Sequence, residues 1–193
     1  MFKNVMVYRL GAESLPSLDE METALAQARF VECGASQEMS LGWTAPRGEQ
    51  HGTLVESIAG QRILKFMVET KSVPATVVRR KADEEIARIE ATTGRKPGKK
   101  ETRDLREDAK RALLPQAFSK VSSVWVWLDA EQDLLILDAG SQSRADAVIS
   151  ALVEAVPGVA PRLYNTQRTP QSAMAQWLAE GEADGTFQIE QEC

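Results

Sequence analysis

Lys99, Arg103, Arg106 and Lys110 recur at intervals of four, three and four residues. On a helix turning about 100° per residue they fall within about 60° of one another, with Leu105, Ala109, Ala112 and Leu113 expected on the opposite side. Glu101, Asp104, Glu107 and Asp108 are expected along the flank between the two, beside helix neighbours such as Arg111. Cations at this pitch suit the backbone of duplex DNA, because each neutralised phosphate releases condensed counterions whatever the base sequence. Arg95, Lys96 and Lys100 adjoin the ridge on a turn, and Arg79, Arg80 and Lys81 precede it on another helical stretch, so all ten are candidate DNA-binding residues. Two other readings stay open. A helix of alternating charge can simply be a solvated face, and a charged helical arm can recognise an acidic protein partner instead of DNA.

Residues that could do covalent or metal chemistry are sparse. The one histidine, His51, sits in the loop string Gly48-Glu49-Gln50-His51-Gly52 with no defined partner and reads as a surface residue. Gly94 to Lys100 has the glycines and lysines of a phosphate loop, but it is one residue short, lacks a Ser or Thr after the lysine and follows no strand. Asp129, Asp133 and Asp138 could form a magnesium site of a nuclease, but without supporting histidines or glutamates they read as polar residues at strand ends and a turn. Trp125 and Trp127 could stack on bases, although their apolar neighbours favour core or interface packing. The expectation is therefore a protein with no catalytic residues, no metal and no cofactor.

The elements that must position the ridge form a mixed α/β body interrupted by a charged helical insertion. Phe2 to Leu10 reads as a strand ending at Gly11. Ser17, with Glu20 three residues on, has the spacing of a capping box for a helix to about Arg29. Helical periodicity is lost from Phe30 to Trp43, and Gln61 to Val68 reads as a second strand. After Pro74 a helix carries Ile86 and Ile89 in a run of charges and ends near Thr93-Gly94. The ridge helix follows from about Glu101 and stops before Pro115. Val124–Leu128 and Leu134–Leu137 are expected to pair as a hairpin of two buried strands. Ser143 is the expected cap of a helix through Ala155, and Thr169-Pro170 starts a last helix through Trp177-Leu178. The fold class is α+β with antiparallel strands. Residues 1–73 and 121–193 are expected to make the body, and 74–120 the arm.

The 193 residues suffice for one compact domain or two small lobes, and a hydrophobic share of 43% with 26% charged residues is ordinary for a globular chain. A net charge of −5 would by itself argue against a nucleic-acid partner. The charge is segregated, however: residues 71–120 hold 14 Lys and Arg against 8 Asp and Glu, while the remainder holds 9 against 20. A local field of +6 can meet phosphate on a molecule that is acidic overall. Cys33 and Cys193 are far apart and suggest neither a disulfide framework nor a zinc ribbon, which fits a reducing cytosol. The start lacks the apolar core of a signal peptide, and no apolar run approaches the roughly 20 residues of a membrane span, so a soluble, cytoplasmic protein is expected.

Three strings go further than composition. Phe2-Lys3-Asn4-Val5-Met6-Val7-Tyr8-Arg9-Leu10, then Cys33-Gly34 with Gly42-Trp43-x-x-Pro46, then Leu113-Leu114-Pro115-Gln116-Ala117-Phe118-Ser119 resemble, in order, signatures of the bacterial RdgC family of recombination-associated proteins. The charged helical stretch before Leu113, the Trp-rich strand after Ser123 and Ala175-Gln176-Trp177-Leu178 extend the resemblance over essentially the whole chain. It implies a nucleoid-associated, non-catalytic binder of double-stranded DNA, with single-stranded DNA as a second candidate ligand. Horseshoe-like subunits would pair as a homodimer into a ring around the duplex and limit the RecA recombinase by occupying DNA. On this resemblance the ridge becomes part of the wall of the hole, and Phe118 a subunit contact or hole-lining residue, an ordinary core position being the alternative. Members of the family continue beyond the point where this chain stops, and Phe187-Gln188-Ile189-Glu190-Gln191-Glu192-Cys193 resembles the beginning of that continuation. The expectation is a truncated or naturally short form in which ring closure lacks a C-terminal contribution.

Overall fold

The structure is a computed structural model, and it describes residues 2–11, 15–49, 51–185 and 187–189. Cys193 and the end of the C-terminal string lie outside the described residues. Along the chain run β1 (Val5–Arg9), α1 (Leu18–Ala26), β2 (Met39–Thr44), β3 (Glu56–Ile58), β4 (Gln61–Lys71), α2 (Ala75–Thr93), α3 (Lys99–Leu113), β5 (Ser119–Asp129), β6 (Leu134–Asp138), α4 (Gln142–Ala155), β7 (Arg162–Leu163) and α5 (Pro170–Glu180). The α+β class with antiparallel strands is therefore observed. The strands form one sheet in the order β2-β4-β5-β6-β1-β7, with β3 beside β2 along the same edge of β4.

Alternation along the strands makes one face of this sheet the core. Leu64 and Phe66 of β4, Val124, Val126 and Leu128 of β5, and Leu135 and Leu137 of β6 are buried together with Trp43 and Tyr8. Met21 and Leu25 of α1 and Ala145, Val148 and Leu152 of α4 cover them. Full burial of each such aliphatic side chain is worth about 1.5–3 kcal/mol. The opposite face holds the alternate residues Ile63, Lys65, Met67, Trp125, Trp127 and Ile136, all only half-buried. The hairpin strands are thus buried on one side, not both, and the two tryptophans are not in the core: their odd positions turn them away from it.

Local signals set most boundaries. Ser17 caps α1 through its hydroxyl, with the Glu20 carboxylate accepting from the Ser17 amide at 2.8 Å, although the helix ends at Ala26 and not Arg29. Its C-terminus stops early because the chain turns to lie beside β2, where the Phe30 amide donates to the Trp43 carbonyl and the Trp43 amide to the Ala28 carbonyl. Ser141, not Ser143, occupies the N-cap of α4, two residues earlier than expected. The first strand is shorter than expected because the Asp138 carboxylate accepts from the Lys3 and Asn4 amides, capping its start. β3 carries no turn signal of the usual kind: it joins β4 through Ala59 and Gly60, both at positive φ, the geometry of a two-residue hairpin turn that usually recruits Asn-Gly.

β4 and β5 are the longest strands, and they pair from Arg62 opposite Leu128 to Lys71 opposite Ser119. Helices α2 and α3 connect the far ends of this ribbon. Gly94 in the left-handed conformation ends α2, with its amide donating to the Glu90 carbonyl. Pro97 is buried in the connection, and Pro115 follows α3 in a turn of 3-10 helix. The helices are joined by a thin apolar seam: Ala82, Ala109 and Leu114 are buried, while Val78, Ile86, Ile89, Leu105 and Leu113 are half-buried. Small alanines at the buried positions allow two highly charged helices to approach closely.

Candidate nucleic-acid interface

The buried Ala109 fixes the orientation of α3. Leu105 and Leu113 flank it within about 40° of helical rotation, whereas Arg106, Lys99, Lys110 and Arg103 lie about 60° to 120° round on one side. The basic ridge is therefore beside the apolar seam and not opposite it. Asp108, Glu101 and Asp104 occupy the other flank, on the side where Ala112 is exposed instead of packed. Three stripes result: apolar toward α2, basic on one flank and acidic on the other.

The basic flank is brought against α2. Arg79, Arg106 and Lys110 line one groove with Val73, Ala75 and Val78, so residues about thirty positions apart in sequence form one cationic surface. Arg80 and Lys81 do not join it, since successive residues turn about 100° and carry them to the outer and far sides of α2. All of the candidates except Lys110 are exposed.

Two of the ten candidates are already committed to carboxylates. The Arg95 guanidinium forks onto Glu101 at 2.8 and 3.1 Å, which tethers the connection to the first turn of α3 and holds the Glu101 carboxyl below its usual range. Lys110 Nζ lies 2.7 Å from Glu38, and that hydrogen bond pushes its pKa up. Arg80 approaches Glu84 only at 4.0 Å. Arg79, Lys81, Lys96, Lys99, Lys100, Arg103 and Arg106 make no ion pair among the described residues. Neither the Glu38 contact nor the meeting of Arg79 with Arg106 leaves a trace in periodicity, because both depend on how distant segments pack.

Phe118 stands between the helical connection and β5 with 94% of its surface exposed, which removes the core alternative. Val121, three residues on, is also exposed. β6 pairs with β5 only over Val126–Asp129, so Ser119 to Trp125 is a free strand edge among the described residues.

The aspartates of the hairpin serve local structure. Asp129 is buried and accepts from the Glu131 and Gln132 amides at 3.0 Å, closing the turn. Asp133 sits at positive φ in the same turn. Asp138 accepts from the Asn4 and Lys3 amides at 3.0 Å, and these hydrogen bonds lower its pKa. Among the described residues no three His, Cys, Asp or Glu side chains come together as a metal site, and no helix is long and apolar enough to cross a membrane. His51 is exposed in its loop. The Cys33 amide donates to the buried Glu69 carboxylate at 2.7 Å, and burial raises the thiol's pKa.

Comparison with known proteins places these features in a family. The model described as "Putative exonuclease, RdgC" matches residues 1–193. The chain is similar to the recombination-associated protein RdgC of Herminiimonas arsenicoxydans, at 37% identity over 191 residues covering 99% of this chain and 63% of that protein. It is similar to the proteins of the same name from Dechloromonas aromatica, at 36% over 192 residues (100% of this chain, 62% of that protein), and Proteus mirabilis, at 33% over 188 residues (97% and 62%). It spans a little under two thirds of the length of these curated relatives. With a whole-length family match and relatives above 30% identity, the chain belongs to the RdgC family of recombination-associated proteins.

Proposed function

We propose that this chain binds double-stranded DNA without regard to sequence, as a non-catalytic, nucleoid-associated member of its family that limits RecA by occupying DNA. The observation that carries the reading is the groove in which Arg79 and Arg106 meet, continued along the same flank by Lys99 and Arg103, all four without carboxylate partners among the described residues. Duplex DNA carries one negative charge per about 1.7 Å of axis, and a ridge rising about 1.5 Å per residue from Lys99 to Lys110 presents several cations to that density. The acidic flank and body keep the rest of the molecule repulsive to phosphate, which restricts contact to one side. Residues 74–120 act as the DNA-facing arm and the remainder as the body. Pairing of two subunits, with Phe118 as a contact, would place two such arms around one duplex. RecA antagonism enters through the family alone.

The test is a duplex-binding titration across salt. The logarithm of the wild-type chain's binding constant falls linearly with the logarithm of salt concentration, and Arg103→Glu with Arg106→Glu weakens binding uniformly across sequences and lowers the magnitude of that slope by about 2. Unchanged affinity or slope in that variant rejects the assignment. Retention of one acidic protein in the presence of excess duplex would favour protein recognition by the same arm.

A further inference from the structure

We propose that the cavity between the ends of α1 and α4, over the core face of the sheet, binds a small organic ammonium whose apolar body carries a hydrogen-bond acceptor, an acylated alkylamine being the simplest case. The cavity has a volume of about 580 Å³, within the range of small-molecule sites. Trp43 and Phe66, on neighbouring strands, form its floor and pack edge to face with ring centroids 5.0 Å apart. Ala24 of α1 and Ala28 just past it line one side, and Ala151 and Ala155 of α4 the other. Methyl side chains on both walls leave open a space that larger apolar residues would fill, so the gap is written into the sequence of the two helices.

The floor and the mouth of this cavity differ in polarity. Trp43 is 1% exposed, and its Nε1–H meets no acceptor among the described residues. A buried indole N–H ordinarily finds a partner, so an unmet donor on a ring that lines a cavity calls for an acceptor that the chain does not supply. The mouth is electronegative instead. α1 ends at Ala26 and α4 at Ala155, and neither has a basic residue in its last turn, so the negative ends of two helix dipoles converge on the cavity. Glu154, exposed at the same place, makes no ion pair among the described residues. Arg29 also lines the cavity, but its guanidinium donates to the Gly52 carbonyl at 3.2 Å. A carbonyl oxygen beside Trp43, methylenes between the alanine walls and an ammonium near Glu154 answer these features in turn. The site lies on the body, apart from the basic ridge, and takes a cation where the ridge takes phosphate.

The test titrates the 193-residue chain with N-acetylputrescine, which has all three parts, and with putrescine and N-butylacetamide, which lack the acyl acceptor and the ammonium respectively. N-acetylputrescine is expected to displace the Trp43 indole N–H signal in NMR spectra of the wild-type chain, a readout independent of any variant's folding. Putrescine is expected to bind about tenfold more weakly, for want of the buried hydrogen bond. N-butylacetamide is expected to bind about fivefold more weakly, for want of the charge at the mouth. Glu154→Gln should bring N-acetylputrescine close to N-butylacetamide in affinity, and Ala151→Leu, which fills the cavity, should abolish binding of all three. Arg103→Glu with Arg106→Glu leaves binding unchanged, so failure of this site and failure of the arm are separable. An unshifted Trp43 signal at millimolar N-acetylputrescine, equal affinity for the three probes, or unaltered binding by a folded Ala151→Leu variant overturns the proposal.

Discussion

Lys110 Nζ and Glu38 Oε2 are 2.7 Å apart although the residues are 72 positions apart in the chain, so the last turn of α3 is tied to the loop before β2. The pair joins the arm to the body and withholds one cation from the basic flank. Glu38→Gln should free that cation and strengthen duplex binding about twofold at low salt, with the gain vanishing as salt rises. Lys110→Gln in the wild-type background should change affinity less than Arg106→Gln. Duplex titrations of the three variants at two salt concentrations check both statements.

Gly42 is irreplaceable on steric grounds. A Cβ there would lie 2.6 Å from the Phe30 Cα and 2.8 Å from the Ala28 carbonyl oxygen, both backbone atoms. Gly42→Ala must push residues 28–30 off β2 and strain the two hydrogen bonds that join them to Trp43. A loss of about 2 kcal/mol or more is expected in chemical denaturation.

Ala59 adopts φ 50° in the turn between β3 and β4, a conformation that Asn tolerates better than Ala. Ala59→Asn should stabilise the fold by about 0.5–1 kcal/mol, raising Tm by about 2–3 °C, without touching any proposed ligand surface.

Asp138 has its pKa lowered chiefly by hydrogen bonding to the Asn4 amide, aided by Lys3. A carboxylate depressed in the folded state contributes stability above its unfolded pKa, and that contribution disappears as pH falls through the folded value. The loss therefore belongs to the range below about pH 4. Asp138→Asn should lower Tm near neutrality and flatten the acid limb of the Tm profile, measured from neutral pH downward.

Phe118 contributes almost nothing to the core, so Phe118→Ser should leave thermal stability within about 0.5 kcal/mol of wild type. If it is a subunit contact, the same substitution shifts the sedimentation profile toward the smaller species. A change in stability without a change in mass would argue against that role.

Much of the arm was legible in the sequence. Pro74, Gly94, Gly98 and Pro115 punctuate its helices because they act through local dihedral limits and missing donors, which need no tertiary partner. The segregation of charge and the four-residue and three-residue spacing of the ridge were likewise intrinsic to the chain. Ser17 and Thr169 revealed their helix starts because a cap is a contact within three residues.

Other features depended on contacts that sequence spacing does not encode. β5 begins at Ser119, five residues before its apolar run, because pairing with β4 supplies hydrogen bonds that Ser119, Lys120 and Ser122 do not advertise by propensity. Trp125 and Trp127 sit among residues as apolar as those of the core, and only the side of the sheet on which α1 and α4 pack decides which alternates are buried. The position of the basic flank follows from Ala109 being the residue that meets the seam, and its composition from Arg79 arriving across it while Glu38 claims Lys110. Thus the sequence by itself determined where the helices start and stop and which residues carry the charge, through interactions a few residues long. Tertiary packing decided which of those charges face one another and which remain free, because electrostatic partnership depends on distance in space and not along the chain.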